Sequence, residues 1–526
     1  MKINKFLLGA FALSVGFASC SNEEPIKGEN GGAAVGEKYM AVRITTSGMG
    51  GSRAGEVGTP EFEGAAGDLE GKITASQLYF YFFDGSGNPF PLAYANVNGE
   101  VVTNVVKPTT ISEVTEGDGT TTTVNGVLVL GKAVGAGYVG TTPSQVLCVA
   151  NPTVGLQEFA NRSLGYVLGA LSTVPENGIP AATGFLMTSS TYTDKSEGGG
   201  NSITTVDVSN NFKDTPDLAE QNPATIYLER LAAKVRATGL GTYAPKMRDP
   251  LDNENIIPGK FVVDNAEANL SVELTGWTLR NTANQSYAFK HITNSQGAVE
   301  NWFTGWNDSN KHRSYWAVSC AINPLDDVYD IYDESGFAKG SFDAANPTKN
   351  IAYCYESTTQ EVKSQTDRTS KATAIIVRGV VKKDGVPVDM MRWAGAYYTS
   401  DRLKTRIAEA YSSEYGVEVT SEDVSFVKDK NNKYHAQVNN TDFSTNFSDI
   451  LWWKEGVTSY YLNIAHIGNK FGVVRNHIYD YTFEDVIGLG VPGNDPVNPE
   501  DEDETFLAAR LHVLNWHVVS NKVILE

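Results

Sequence analysis

The sequence predicts a mainly β chain folded as two β-sandwich domains with few short helices. Three observations lead there. Gly, Thr, Ser, Asn and Tyr are abundant while long runs of Ala, Leu, Glu and Lys are rare, the balance of strands joined by many turns. Short apolar or alternating segments recur along the chain, bounded by Gly, Asp and Asn. A chain of 526 residues also exceeds what one hydrophobic core usually holds.

Taken in order, the elements begin with a leader. Lys2 and Lys5 precede the apolar residues 6–17, and Phe17-Ala18-Ser19-Cys20 closes the run with small residues, the layout of a bacterial lipoprotein signal. Residues 1–20 are therefore expected to be a signal ending in a lipobox, with Cys20 lipidated; acyl chains contribute roughly 0.8 kcal/mol per buried CH₂. A simple secreted protein with a chance Cys at that place is the alternative. Residues 39–46 set Met40, Val42 and Ile44 at period two, so one face of a strand can enter a core while its edges complete a sheet. Gly48, Gly50, Gly51 and Ser52 then make the Arg53-Ala54 bond an accessible cleavage site. On these residues alone, 39–46 fit an ordinary first strand that is retained, with Arg53 a surface arginine, or the exchangeable strand of a propeptide spanning residues 21–53.

The first domain, residues 54–238, opens with the aromatic strand 78–83 and the hairpin signal Asp84-Gly85-Ser86-Gly87-Asn88. Strands are expected at 126–130 and 145–150. A helix is expected over 156–171, where Leu156, Phe159, Ala160, Leu164, Val167, Leu168 and Leu171 follow helical spacing as a packing stripe. Residues 225–235 read as one strand closing this half, and turn formers follow in 239–250. The second domain, residues 239–487, has expected strands at 269–279, 314–321, 372–381 and 459–467, and a hairpin at Lys383-Asp384-Gly385. A helix is expected at 401–411, with Leu403, Ile407, Ala410 and Tyr411 on one face and Gly416 beyond its end. Residues 488–526 hold a Pro-rich acidic linker and then a terminal run of strand formers: Leu511, Val513, Leu514, Trp516, Val518, Val519, Val523 and Leu525. A strand on a stiff linker can pair far from its own domain, although a final strand pairing at home fits the same residues.

Composition excludes several functions. With 42 Lys and Arg against 62 Asp and Glu the net charge is −20, so no basic surplus exists to displace counterions from a nucleic acid. No apolar run after Cys20 reaches membrane-spanning length, which leaves the precursor lipid as the membrane contact. The seven histidines are scattered, no HExxH, Walker or G-x-S-x-G pattern occurs, and His512 with His517 lacks the spacing of a helical metal pair. The chain is expected to be no enzyme and to hold no cofactor or metal. His477 beside Arg475 reads as a packed turn or strand position, and Asp326, Asp327, Asp330, Asp333 and Glu334 as a solvated acidic loop. Cys148, Cys320 and Cys354 are too widely spaced for a zinc ribbon or a CxxC pair. A disulfide between Cys320 and Cys354 and two buried thiols both fit their strand-like contexts.

Several segments look like signatures: Leu274-Thr275-Gly276-Trp277 with Ser286-Tyr287, Ser314-Tyr315-Trp316-Ala317, Ala352-Tyr353-Cys354-Tyr355-Glu356, Phe471-Gly472-Val473-Val474-Arg475-Asn476-His477, and the tail from Val513 to Val519. Together with the leader and Arg53-Ala54-Gly55, they make the chain resemble the Mfa-type fimbrillins, main shaft subunits of the type V pili of Bacteroidia, over essentially its whole length. Ser21-Asn22-Glu23-Glu24 is similar to the surface-export tags of lipoproteins from those bacteria. The resemblance implies two transthyretin-like sandwiches and export as an outer-membrane lipoprotein. It further implies cleavage after Arg53 by an Arg-specific protease and growth of a homopolymer in a surface fimbrium. In that scheme the strand bearing Met40, Val42 and Ile44 is displaced and the exchangeable C-terminal strand of another copy replaces it. Partners would be further copies, anchor and tip pilins, the protease, and host or bacterial surface ligands for adhesion. A tip or accessory pilin, and a monomeric glycan- or protein-binding surface lipoprotein, are the alternatives.

Overall fold

The computed structural model describes residues 38–45, 73, 75–96, 98–115, 122–152, 159–173, 184–195, 201–249, 252–257, 261–292, 303–305, 312–314, 316–320, 329–330, 351–358, 361–364, 370, 372–428, 433–443, 450–466, 470–493 and 506–515. Strands dominate it. β1 (Lys38–Thr45), β2 (Leu78–Phe83), β3 (Thr122–Leu130), β4 (Gln145–Ala150), β5 (Met187–Ser189) and β6 (Ala224–Arg230) lie in one nine-stranded sheet. Its order runs Val105–Val106, β2, β4, β5, β6, β1, β3, Pro108–Thr115, with Val206–Asp207 paired to β4. The sheet changes course at β6: Ala224 to Tyr227 pair with β1, whereas Leu228 to Arg230 pair with β5. A strand shared in this way lets two sheet halves face each other across one core. Met40, Val42 and Ile44 of β1, Val124 and Leu128 of β3, Phe80 and Phe82 of β2, and Val146 and Cys148 of β4 meet in that core.

The aromatic run of β2 needs no alternation because both its faces are covered. Phe80 and Phe82 point to the core just described, while Tyr81 and Phe83 join Phe159, Val167 and Phe289 on the other side. Asp84 then turns the chain: its carboxylate accepts from the Ser86 and Asn88 amides, both at 2.9 Å. The Phe90 amide returns to the Phe82 carbonyl.

The second core is a sandwich of two further sheets. They are built from β7 (Ala232–Thr238), β8 (Leu270–Arg280), β9 (Ile351–Tyr355), β10 (Ala374–Lys383), β11 (Val457–Asn463), β12 (His477–Ile487) and β13 (Phe506–Asn515). One sheet runs β9, β7, β12, β13; the other runs Thr242–Tyr243, β8, β10, β11, Val491–Pro492. Val235, Tyr479, Tyr481 and Phe483 from the first meet Trp277, Ile375, Val377, Tyr460 and Leu462 from the second. Gly239 follows β7 with φ +80°, and a Cβ there would lie 2.2 Å from the Phe483 carbonyl oxygen, so the chain can leave the sheet here only as glycine.

Several expectations need correction. Residues 225–235 are not one strand in one sheet: Leu231 separates β6 from β7, and the two strands serve different sheets, with the Leu231 amide bonded to the Leu186 carbonyl. The stripe at 156–171 does not form one helix. Residues 153–158 lie outside the described residues, α1 spans only Leu164–Leu168, and Leu171 begins the strand Leu171–Thr173. Asn161 takes φ +58°, which breaks helical geometry, and Ser163 starts a new turn by accepting from the Tyr166 amide. Phe159 and Val167 are nevertheless buried, so the apolar stripe was core without being one helix. The expected strand 314–321 is also short. Ser314 ends the strand His312–Ser314, its hydroxyl bonding both the amide and the carbonyl of Trp316, and residues 316–320 have no regular structure.

Other expectations match. β2 and β4 hold the expected residues, and Asp384 and Gly385 both take positive φ (52° and 83°), as a two-residue hairpin requires. Besides α2 (Pro216–Glu220), a longer helix, α3 (Ser400–Tyr415), covers the expected 401–411 and ends at Gly416 with φ +66°. Leu403 and Ile407 are buried in a small separate core with Met391, Val424, Val438 and Ile450. Segments distant in sequence also mix: Leu171–Thr173 pairs with Gln285–Tyr287, and Tyr192–Thr193 with His312–Ser314.

Candidate functional site

β1 is the first described strand, and it sits in the middle of its sheet. It runs antiparallel to β3 from Lys38 opposite Leu130 to Thr45 opposite Thr123, and parallel to β6 from Val42 opposite Ala224 to Thr45 opposite Tyr227. Period two decides what each side chain meets. Met40, Val42 and Ile44 are at most 1% exposed and enter the core, Ala41 is closed in on the opposite face, and Arg43 stays in water. In register, Met40 lies beside Leu128, Val42 between Gly126 and Ala224, and Ile44 between Val124 and Ile226. Take β1 away and these residues become the walls of an apolar slot edged by unpaired backbone.

The N-terminal end of β1 is clamped by the segment before α2. The Tyr39 amide donates to the Lys213 carbonyl at 2.8 Å, and the Lys213 amide donates to the Tyr39 carbonyl at 2.9 Å. Lys38 forms an ion pair with Asp214. Sequence reasoning gave no sign of this clamp, because nothing local ties Lys213 or Asp214 to a strand far upstream.

The terminal strand is placed at home. β13 pairs antiparallel with β12 along its whole length, from Ile487 opposite Phe506 to His477 opposite Asn515, with an irregularity between Phe483 and Asp485. Among the described residues it is the edge strand of its sheet, paired on one side only. Leu511 stands opposite Tyr481, Val513 opposite Tyr479, and Leu514 opposite Ile478. The partner is intelligible: β12 is eleven residues long, and its side away from β7 would otherwise present a row of unpaired amides and carbonyls. Cys20, Arg53, Ala54, Trp516, Val518, Val519, Val523 and Leu525 lie outside the described residues.

Three signature segments converge on one buried ion pair. Arg475 and Glu356 are both fully buried, with the guanidinium Nη2 3.2 Å from Glu356 Oε1 and Nε 3.3 Å from Oε2. Nη2 also donates to Ser286 Oγ at 2.9 Å and to the Tyr287 carbonyl at 2.8 Å. Asn476, the next residue, accepts from the Arg230 backbone amide, so the cluster touches the end of β6 where the chain passes between sheets. His477 is buried, its Nδ1 2.8 Å from the Arg475 carbonyl. These segments were visible in the sequence as motifs; their convergence was not.

Cys148, Cys320 and Cys354 are free and buried. Cys320 and Cys354 pack in different clusters, so neither supplies the other with a bonding partner. Burial pushes the Cys354 thiol up to about 12 and raises that of Cys148 above the usual thiol range, which keeps both unreactive.

No protein-family model matches the chain, and no curated protein sequence matches it. Solved structures do. A candidate cell adhesion protein of Parabacteroides distasonis is 13% identical, covering 92% of this chain and 98% of its own, with a TM-score of 0.37. A candidate cell adhesion protein of Bacteroides eggerthii is 12% identical, covering 93% and 98%, with a TM-score of 0.33. The tip fimbrial protein Mfa3 of Porphyromonas gingivalis, with a C-terminal truncation, is 10% identical, covering 91% and 100%, with a TM-score of 0.33.

Proposed function

We propose that the chain is a structural subunit of a cell-surface fimbrium, exported as a lipoprotein on Cys20 and cut after Arg53. It then polymerises head to tail as the C-terminal strand of one copy replaces β1 of the next. The observation that supports this most is the position of β1. A strand central to a sheet is ordinarily locked in by its connections, but a cut after Arg53 leaves the piece ending at Arg53, β1 included, attached to the rest by non-covalent contacts alone. Burial of Met40, Val42 and Ile44 contributes roughly 1.5–3 kcal/mol each, so the emptied slot is strongly disfavoured and a replacement strand is strongly favoured. β-strand addition meets both needs, since main-chain bonds repair the ladder and side chains refill the core. A head-to-tail joint does not close on itself and propagates as a fibre. Such a fibre would hold anchor and tip pilins at its ends and present surfaces for adhesion to host or bacterial ligands.

The test uses the chain without its first 20 residues, treated with an Arg-specific protease. The expected result is a detergent-resistant ladder on gels and fibres by electron microscopy; cut monomer with its tail intact would overturn the reading. Deleting residues 506–526 should abolish the ladder and leave a folded monomer, and a ladder that survives excludes the tail as donor. One observation favours a second reading: β13 is already paired to β12 within the chain. A tip or accessory pilin, or a monomeric surface lipoprotein binding glycan or protein, would keep its tail there, and cutting would then yield monomer only.

A further inference from the structure

We propose that residues 506–511 of a second copy fill the β1 slot, in the register that puts Arg510 where Arg43 stood. This rests on the strand-exchange reading above and names the segment and alignment it requires. β1 contains Tyr39-Met40-Ala41-Val42-Arg43-Ile44, and β13 begins Phe506-Leu507-Ala508-Ala509-Arg510-Leu511. Alanine and arginine recur at the same two positions, an aromatic residue matches an aromatic one, and apolar residues match apolar ones elsewhere. The start of the tail is a copy of the strand it would replace.

The slot explains why those positions matter. Its three inward places hold Met40, Val42 and Ile44 and admit only apolar side chains. On the other face Ala41 is 3% exposed and its register partner Val127 is 6% exposed, so that place is closed and takes a small side chain. Arg43 is exposed, so a charge there remains hydrated. Of all six-residue windows in residues 506–526, three set apolar residues at every inward place, beginning at Phe506, Ala508 and Val513. The second would bury Arg510, and the third Asn515, at the closed alanine position. Only the first keeps alanine there and arginine in water. One mismatch remains: Ala509 replaces Val42 between Gly126 and Ala224, leaving a gap the size of two methyl groups. At home the same residues face β12, with Arg510 opposite Thr482, so the segment must leave one edge to enter the other.

Register-specific crosslinking decides the matter. Arg43 pairs in register with Asn125, so protease-cut chains carrying Arg510→Cys with Asn125→Cys are expected to form a reducible covalent ladder after boiling in detergent. Uncut chains carrying Arg510→Cys with Thr482→Cys are expected to close an internal link instead. His512→Cys and His517→Cys, each with Asn125→Cys, report the two competing windows. Linking through either of these and not through Arg510, or a detergent-resistant ladder with no link from any of the three, overturns the register while leaving strand exchange standing. Absence of any ladder in the unsubstituted protein removes strand exchange itself, and the register with it. As a second readout, Ala509→Val fills the gap and is expected to raise the temperature at which the ladder falls to monomer. An unchanged or lower temperature counts against the alignment.

Discussion

At the scale of single residues, the Arg475–Glu356 pair shows how a motif acquires a role. Both groups are removed from water, and each compensates the other. Removing one partner leaves a buried unpaired charge, so Glu356→Ala should cost about 3–5 kcal/mol in urea unfolding. The double variant Glu356→Ala with Arg475→Leu should cost clearly less than the sum of the two singles, because no charge is then stranded. Sequence reading marked both residues yet gave them no function, since their contact spans 119 positions of chain. Asp264 offers a pH test. Hydrogen bonds from Arg402 (2.7 Å) and Arg406 (2.9 Å) on α3 hold its carboxyl below the ordinary carboxylate range. A depressed carboxylate contributes stability that is fully present above its unfolded pKa of about 3.9 and is lost as pH falls through the folded value. The urea midpoint of Asp264→Asn should therefore lie below that of the unsubstituted chain at pH 7, and the difference should shrink as pH falls through and below 4.

At the scale of elements, β1 and β13 differ in what secures them. β1 is paired on both edges and clamped at Tyr39, whereas among the described residues β13 is paired on one edge only. Amide exchange should therefore be slower in residues 38–45 than in residues 506–515 of the uncut chain, because a strand paired on one edge opens more readily. Peptide-resolved hydrogen–deuterium exchange measures this, and faster exchange in β1 would contradict its central placement. The same contrast shows what the sequence could reveal. Period two exposed the inward face of β1 because one face is buried and the other is wet, and α3 was legible from its apolar spacing and Gly416. The stripe at 156–171 misled because burial constrains which residues are apolar without requiring one helix, and the turn at Asn161 left that spacing intact. The break at Leu231 was hidden for a related reason: an apolar residue there satisfies both strands, and only pairing partners reveal that they belong to different sheets.

At the scale of the whole molecule, a cut after Arg53 should change the order of the folding reaction. In the intact chain β1 docks intramolecularly, so thermal stability does not depend on protein concentration. After the cut, the piece ending at Arg53 becomes a ligand of the remainder, and a ligand stabilises by RT ln(1 + [L]/Kd), about 2.7 kcal/mol when its free concentration is one hundred times Kd. The clean case is a chain lacking residues 506–526, which has no tail to refill the slot. Its midpoint temperature should be independent of concentration before cutting. After cutting it should fall on dilution, and a synthetic peptide of residues 38–45 should restore it. Differential scanning fluorimetry across a hundredfold dilution series distinguishes this from the alternative. A cut chain whose midpoint ignores dilution, and which keeps its fragment through gel filtration, would show that β1 does not leave on its own and that an incoming strand must displace it.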